Sequence, residues 1–466
     1  MRLHFLGANR QVTGSRYAIE RDGEYVMVDC GLFQEREYLE RNWAPCPVPV
    51  DKVTAVVLTH VHIDHCGWLP RLVQQGFDGP IYATAASTAL ARIMLLDAAK
   101  IQMEDAAYKK KRHEREGRRG KYPEVPLYTD EDAEQALRQF RSVPYRQPIT
   151  VAPDLEVTFH DAGHVLGSAI LEFRYPMGET EKKLVFSGDL GQKNKPIIRD
   201  PDFLREADYV VMESTYGDRL HERSRPVVDQ LADVISRTLA RGGRVVIPTF
   251  ALERTQELLY HISDLVQTGR IRKTPVFVDS PMAADITEVF RQFPDCFDQQ
   301  TWQRLLDRRP PWQFEGLHFT RTVEESKQIN EQRGPCIILS TSGMCTEGRI
   351  KHHLRAALED DRNTVVFVGF QAHGTLGRRI LEREPEVRIH GRQYRVRCEV
   401  AEITGFSAHA DQQGLLDWLG AFEHAPTRTF LTHGEEKVSL GFAELIRNKW
   451  NWAVSVPEYG QRFALA

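Results

Sequence analysis

Four side chains that bind metals well fall within six residues of this chain. They are His60, His62, Asp64 and His65, in the stretch LTHVHIDHCGWLP at 58–70. Neutral imidazole suits zinc and related cations, and a carboxylate supplies the balancing charge. A lone histidine before a glycine is ordinarily a turn or cap residue. Four ligand-type residues at this spacing, where a strand runs into a loop, have no ready structural explanation. One cation takes three or four protein ligands, so this stretch and ligands elsewhere point to two. The further candidates are His164 in DAGHVLG, Asp189 in SGDLG and His433 in LTHGEE. Each follows an apolar run and adjoins a glycine, which lets backbone approach closely. His60, His62 and His164 can hold one cation and Asp64, His65 and His433 the other, with Asp189 between them. A metal pair ~3.5–4 Å apart activates water and stabilises charge at phosphorus.

The elements that must position these groups are short β-branched runs: EYVMVDCG, VTAVVLTH, LEVTFHDAGH, KLVFSGDLG and ADYVVMEST. Each predicts a buried strand that ends at or near a His, Asp or Glu. DHCGWLPRLV predicts a helix with Asp64 near its N-terminus, where a carboxylate is favoured. From about residue 216 strands and helices alternate. RVVIPTF leads into ALERTQELLYHISDLV, PVFVDSP into MAADITEVFRQF, CIILSTSG into MCTEGRIKHHL, and TVVFVGF into QAHGTLGRRILE. That alternation predicts a parallel sheet with helices on both faces. After the hairpin-like VRIHGRQYRVRCEVAEI, the ligand-rich style returns in GFSAHADQQG and FLTHGEEK. The expectation is one domain split in sequence, at 1–213 and 396–466, with a second domain inserted at 214–395.

Bulk properties narrow the function. The 466 residues suit two domains, and 41% hydrophobic with 27% charged residues describes a globular protein. A net charge of −4 gives no global pull toward nucleic acid, so such binding needs a local patch. The densest basic stretch, YKKKRHEREGRRGKYPEVP at 108–126, reads as a solvated helix end running into a loop, with a phosphate contact as the alternative. Seven scattered cysteines without a CxxC pair argue for reduced thiols in the cytoplasm and against a disulfide scaffold or a cysteine zinc site. The N-terminal MRLHFLGANRQVTGS lacks an apolar signal core, and no apolar run approaches the ~20 residues that span a bilayer.

HVHIDH with Asp29, His164 and Asp189 resembles the metallo-β-lactamase fold. That resemblance implies an α/β protein, a four-layer αββα sandwich with a metal pair at the sheet edges. Glu213 in VVMESTYGDR, His409 in GFSAHAD and His433 in LTHGEE resemble motifs A, B and C of the β-CASP nucleases. IPTFALERTQELL, VDSPMA, STSGM and GTLGRR are similar to segments of that family's inserted α/β domain, which contains a mainly parallel sheet. The resemblance covers essentially the whole chain. It is nearest to stand-alone prokaryotic relatives of the messenger-RNA 3′-end-processing endonuclease, without the KH-type extension of archaeal relatives and shorter than RNase J. A histidine at motif C resembles RNA-acting members. Thr341 departs slightly from the Ala or Ser that relatives often carry there.

The resemblance implies a ribonuclease with two zinc ions per chain, manganese being the second candidate, acting on single-stranded RNA. Hydroxide would attack phosphorus and leave a 3′-hydroxyl and a 5′-phosphate, as an endonuclease in preference to a 5′-exonuclease. His409 is the expected proton donor, oriented and kept charged by Glu213. Asp29, otherwise readable as a strand-end turn residue, would orient a ligand histidine or the nucleophile. In the insert, the turn of Ser340, Thr341, Ser342 and Gly343 could cradle a phosphate. Arg254, Arg378 and Arg379 could add charged contacts. The plainer readings are an ordinary turn and solvated arginines. A groove between the domains would admit a single strand, and a homodimer is compatible with the family. Nothing in the chemistry uses a 2′-hydroxyl, so a preference for RNA rests on recognition. The rival readings are a DNA nuclease, a hydrolase of small thioesters or lactones, and an inactive binding scaffold. The strand–helix insert and motifs A to C argue against the small-ester reading, and the complete ligand set argues against the scaffold.

Overall fold

The computed structural model describes residues 1–117, 121–221, 225–369 and 371–465. The chain divides into two compact units. The first comprises Met1–Lys193, Asp200–Leu220 and His409–Ala466, and the second comprises Asn194–Arg199 and His221–Ala408.

The first unit is built on two seven-stranded sheets among the described residues. One runs Arg462–Ala464, Arg2–Phe5, Tyr17–Arg21, Glu24–Val28, Val53–Val57, Ile81–Thr84, Phe140–Val143. The other runs Val454–Ser455, Arg428–Thr432, Tyr209–Glu213, Thr180–Phe186, Ala169–Met177, Leu155–Asp161, Pro148–Ala152. Their inner faces meet in one apolar core, in which Phe5, Tyr17, Val28 and Val57 pack with Val157, Phe173, Phe186 and Phe430. The outer face of the second sheet buries Val185, Val210 and Met212 under Leu415, Trp418, Phe442 and Ile446 of helices Gln412–Leu419 and Glu436–Trp450. Helix Ala85–Glu116 packs on the other sheet at strands Ile81–Thr84 and Phe140–Val143. This is the expected four-layer αββα sandwich. Every strand named above for its terminal His, Asp or Glu forms, because a strand covered on both faces buries a continuous apolar run.

Two expectations need correcting. DHCGWLPRLV is not one helix but two short ones, Ile63–Cys66 and Leu69–Gln74. Pro70 occupies the first turn of the second, the one place in a helix where its missing N–H costs nothing. The chain also does not return to the first unit after residue 395. Strand Glu399–Glu402 pairs in parallel with Thr364–Phe367, so the second unit continues to Ala408.

That second unit holds a six-stranded, fully parallel sheet, ordered Leu317–Phe319, Val276–Asp279, Ile337–Ser340, Val245–Pro248, Thr364–Phe367, Glu399–Glu402. The expected hairpin forms beside it from Glu386–Ile389 and Arg392–Arg395. Residues 194–199 belong here too. Ile197 N donates to Thr301 Oγ1 (3.1 Å), and Asp298 N donates to the Ile197 carbonyl (2.9 Å).

Asp279 anchors the C-terminal edge of this sheet. It is fully buried. It lies 2.6 Å from His353 Nε2 and accepts from Ser326 Oγ (2.6 Å), Arg349 Nη1 (2.8 Å) and Thr320 Oγ1. Burial opposes its charge, but the His353 contact and the hydroxyl donors outweigh burial and hold the carboxyl well below its ordinary range. A carboxyl so depressed stabilises the fold at neutral pH and loses that contribution only as pH falls below about 4. Asp279→Ala therefore strands Arg349 and His353, and is expected to cost about 3–5 kcal/mol at pH 7. Urea unfolding checks this, and a loss under about 1 kcal/mol would contradict it.

The basic stretch follows the plainer reading where it is described. Helix Ala85–Glu116 ends at Gly117 in the left-handed conformation (φ 61°). Lys109 pairs with Asp105, Arg112 with Glu116 and Lys121 with Glu40. Residues 118–120 of that stretch lie outside the described residues. No helix among the described residues is long and apolar enough to cross a membrane.

Candidate metal centre and proton donor

All seven expected ligands converge at one end of the first unit's strands. His60 follows Val53–Val57, and His62 and Asp64 flank the start of helix Ile63–Cys66. His164 follows Leu155–Asp161, Asp189 follows Thr180–Phe186 and His433 follows Arg428–Thr432. In the first group, His60 Nε2 stands 3.0 Å from His62 Nδ1, and His164 Nε2 stands 3.3 Å from that same Nδ1. In the second, His433 Nε2 stands 3.0 Å from His65 Nε2 and 3.3 Å from Asp64 Oδ2. Asp189 faces both. Its Oδ2 lies 3.5 Å from His60 Nε2 and 3.5 Å from His164 Nε2, and its Oδ1 lies 3.4 Å from His65 Nε2 and 3.6 Å from His433 Nε2.

This donor set fits a cation pair. Four ligand atoms around a tetrahedral ion with bonds of ~2.0–2.1 Å stand about 3.3 Å from one another, close to the spacing of the first group. Asp189 Oδ1 is buried with only the longer ion-pair contacts to His65 and His433 and no formed hydrogen bond, a shortfall that a cation would make good. Burial drives His60 and His164 well below the usual imidazole range and lowers His62 to about 4, the neutral ligating form. Burial works against ionised Asp64 and Asp189 too, yet His433 and His65 hold both carboxyls well below their ordinary values.

Backbone geometry brings the ligand loops together. Asp29 takes a positive φ of 56° and His433 one of 50°. Each is held by its own amide, Asp29 N donating to Val57 O (3.0 Å) and His433 N to Ala8 O (2.8 Å). Gly31 and Gly191 allow contacts no other residue could. A Cβ on Gly31 would fall 1.6 Å from the Asp64 carbonyl oxygen, and one on Gly191 would fall 1.6 Å from that of Gly163.

Asp29 lies 2.7 Å from His65 Nδ1, while its other oxygen accepts from Thr59 N (2.8 Å). It thus fixes which His65 nitrogen faces the cluster. Glu213 is buried and takes the Leu190 N–H (2.6 Å). His409 Nδ1 sits 3.2 and 3.1 Å from the two Glu213 oxygens. The His409 ring lies 4.5 Å from the ring of His164. Burial alone would lower His409, but the Glu213 charge and hydrogen bond push it up to about 9.

Sequence reasoning missed the hydroxyls that hold this site. Thr59 Oγ1 reaches Asp29 (2.9 Å) and His60 Nδ1 (3.1 Å), Ser15 Oγ reaches Asp29 (3.3 Å), and Thr215 Oγ1 stands 3.1 Å from His433 Nδ1. One signal was available, since Leu-Thr-His occurs at both 58–60 and 431–433. The second threonine accepts from Tyr17 OH (3.0 Å).

The expected substrate residues lie in the second unit. Ser340 is fully buried, and its hydroxyl is committed to the Asp279 carbonyl (3.0 Å). Thr341 Oγ1 donates to Ser280 Oγ (3.2 Å). Ser342 and Gly343 form the turn, against which helix Leu376–Leu381 sits through Gly377 N donating to Met344 O (3.1 Å). Arg254 pairs with Glu257 and lies 5.6 Å from the Phe406 ring centroid. Arg378 pairs with Glu382, and Arg379 with Glu384.

Comparison with known proteins agrees with this architecture. Residues 18–212 match the family model of a metallo-beta-lactamase superfamily domain, 255–380 that of a Beta-Casp domain, and 393–457 that of a Zn-dependent metallo-hydrolase RNA specificity domain. Ribonuclease TTHA0252 of Thermus thermophilus is 38% identical over 461 residues, covering 99% of each chain. Transcription termination factor FttA of Methanocaldococcus jannaschii is 30% identical, over 98% of this chain and 70% of its own. FttA of Methanosarcina mazei is also 30% identical, over 96% and 69%. A solved protein of unknown function from Enterococcus faecalis V583 shares the fold at 11% identity, with a TM-score of 0.57 over 100% of this chain and 99% of that one.

Proposed function

The chain belongs to the β-CASP ribonuclease family of metallo-β-lactamase-fold, metal-dependent hydrolases, and we propose that it cleaves single-stranded RNA with a pair of bound cations. The observation that carries this reading is Asp189, whose two oxygens face two separate ligand groups. The imidazole-rich set favours zinc, with manganese as the alternative. His60, His62 and His164 would hold one such ion and Asp64, His65 and His433 the other, and the pair would supply Lewis-acid charge and make hydroxide available near neutral pH.

The chain's own residues supply the rest. Hydroxide attacks phosphorus and the bond to the 3′ oxygen breaks, leaving a 3′-hydroxyl and a 5′-phosphate. His409 gives its proton to that departing oxygen. Glu213, 3.1 Å away, keeps the imidazole charged and aimed. Asp29 holds His65 in one orientation through the 2.7 Å contact at Nδ1. In the second unit, the turn at 341–343 would take a backbone phosphate by exchanging its long contacts to Ser280 and Glu347 (3.2–3.5 Å) for the anion. Buried or half-buried Cys30, Cys46, Cys66, Cys336, Cys345 and Cys398, which form no disulfide, favour a reducing, cytoplasmic setting.

We assign endonucleolytic cleavage, with 5′-exonuclease action as its alternative. The test is metal analysis of the purified protein together with product mapping on a 5′-labelled linear RNA, a circular RNA and a matched DNA circle. About two divalent ions per chain and a cut RNA circle are expected. Mononucleotides from linear RNA alone would replace the assignment with exonuclease action, and cleavage of DNA only would remove the RNA assignment.

A further inference from the structure

Phe250 is 47% exposed, although an aromatic side chain gains a few kcal/mol by burial. It follows strand Val245–Pro248, at the C-terminal edge of the second unit's parallel sheet, the edge at which open α/β sheets take their ligands. Its backbone is firmly held. The Phe250 carbonyl accepts from Thr255 Oγ1 (2.7 Å), and Thr249 N donates to Ser340 O on the neighbouring strand (3.0 Å). The ring itself rests on Gly343. A Cβ at that position would fall 2.9 Å from Phe250 Cε2 and 3.0 Å from Cδ2, so a glycine is what gives the ring its seat. The Gly343 carbonyl is fixed in turn by Gln371 Nε2 (3.0 Å). The same loop continues to Arg349, at the start of helix Ile350–Ala357, and Lys351 Nζ donates back to Thr346 O within it (3.3 Å).

A rigidly mounted, outward aromatic ring thus sits directly on the 341–343 turn, with the cationic Lys351 close behind in helix Ile350–Ala357 and Arg349 committed to Asp279. Nucleobases all present a π-face, and single-strand binders pair stacking rings with backbone-tracking charge. We propose that Phe250 is a base-stacking platform, carrying one nucleobase of a single-stranded RNA while residues 341–343 hold an adjoining phosphate. This rests on the ribonuclease reading above and adds a binding residue to it.

The test uses the full chain and a short single-stranded oligoribonucleotide, with binding followed by anisotropy in metal-free buffer and cleavage followed after loading with zinc. Phe250→Ala is expected to weaken binding about tenfold. Phe250→Leu, apolar but without a π-face, weakens it comparably, and Phe250→Trp restores it with an added indole emission that RNA quenches. One abasic nucleotide, at the stacked position, should cost the wild type the same factor and the Ala variant nothing more. Wild-type affinity in the Leu variant, or additive losses at every abasic position, overturns the platform. RNA cleaved equally by wild type and Phe250→Ala, with equal affinity, sinks the platform alone. No RNA binding or cleavage by the wild type sinks the ribonuclease reading and the platform together.

Discussion

Asp189→Ala is expected to lower the rate of RNA hydrolysis by at least about 10³-fold and to release tightly held metal from the protein. Six of the seven candidate ligands serve one side of the centre only. Asp189 serves both, with Oδ2 3.5 Å from His60 and His164, and Oδ1 3.4 and 3.6 Å from His65 and His433. Removing it would take a carboxylate oxygen from each of the two ligand groups at once. A change at His60 or Asp64 should instead weaken one position and leave the other loaded. Asp189→Asn is the informative companion, since it preserves volume and one oxygen but loses the charge, and it should bind metal more weakly than wild type and more strongly than alanine. Metal content by elemental analysis, rates on a labelled oligonucleotide and thermal unfolding are measured on the same samples. An alanine variant that keeps two ions and a rate within tenfold of wild type would refute a shared carboxylate.

The convergence of these candidate ligands was legible in the sequence because metal ligation demands rare residue types at strand ends, and strand ends are marked by the apolar runs that precede them. HxHxDH sits on VTAVVLT, and Asp189 and His433 sit on equally clear runs. The inserted sheet was legible for a similar reason, since each buried parallel strand reads as a continuous apolar run. What escaped was whatever depends on contacts distant in sequence. Residues 194–199, NKPIIR, carry no periodicity, and it is tertiary contacts, among them those to Thr301, Asp298 and Phe297, that assign them to the second unit. Strand Glu399–Glu402 is short and half polar, and only its pairing with Thr364–Phe367 extends that unit to Ala408. The hydroxyls of Ser15, Thr59 and Thr215 escaped because such residues are common everywhere. Their role is defined by the positive-φ turns at Asp29 and His433, which a sequence does not display. Ser340 shows the converse. It reads as part of an exposed phosphate loop, yet it closes a buried strand end on Asp279.

His409→Ala should lower kcat on RNA by about 10²–10⁴-fold while leaving metal content unchanged, because His409 lies in none of the convergent ligand groups around Asp189. The distinction that matters is between a proton donor and a residue that merely shapes the site. An alkoxide is a poor leaving group and needs a proton, whereas a nitrophenolate leaves without one. The variant should therefore lose most of its rate on RNA and little on a nitrophenyl phosphodiester, so that its relative preference for the activated ester rises by roughly the factor lost on RNA. Glu213→Gln sharpens the assignment. Glutamine can still accept the Leu190 N–H, which Glu213 receives at 2.6 Å, and can still contact His409. It cannot supply the charge that offsets the burial of the imidazolium. It should show the same split between substrates at smaller amplitude, about 10–100-fold on RNA. Equal losses on RNA and on the activated ester, in both variants, would make the pair a scaffold for the Asp189 loop, to which Glu213 is tied through Leu190 and His409 through its bridge to Gly191. Unequal losses place the proton on His409, since no change in scaffold geometry discriminates between leaving groups by their basicity.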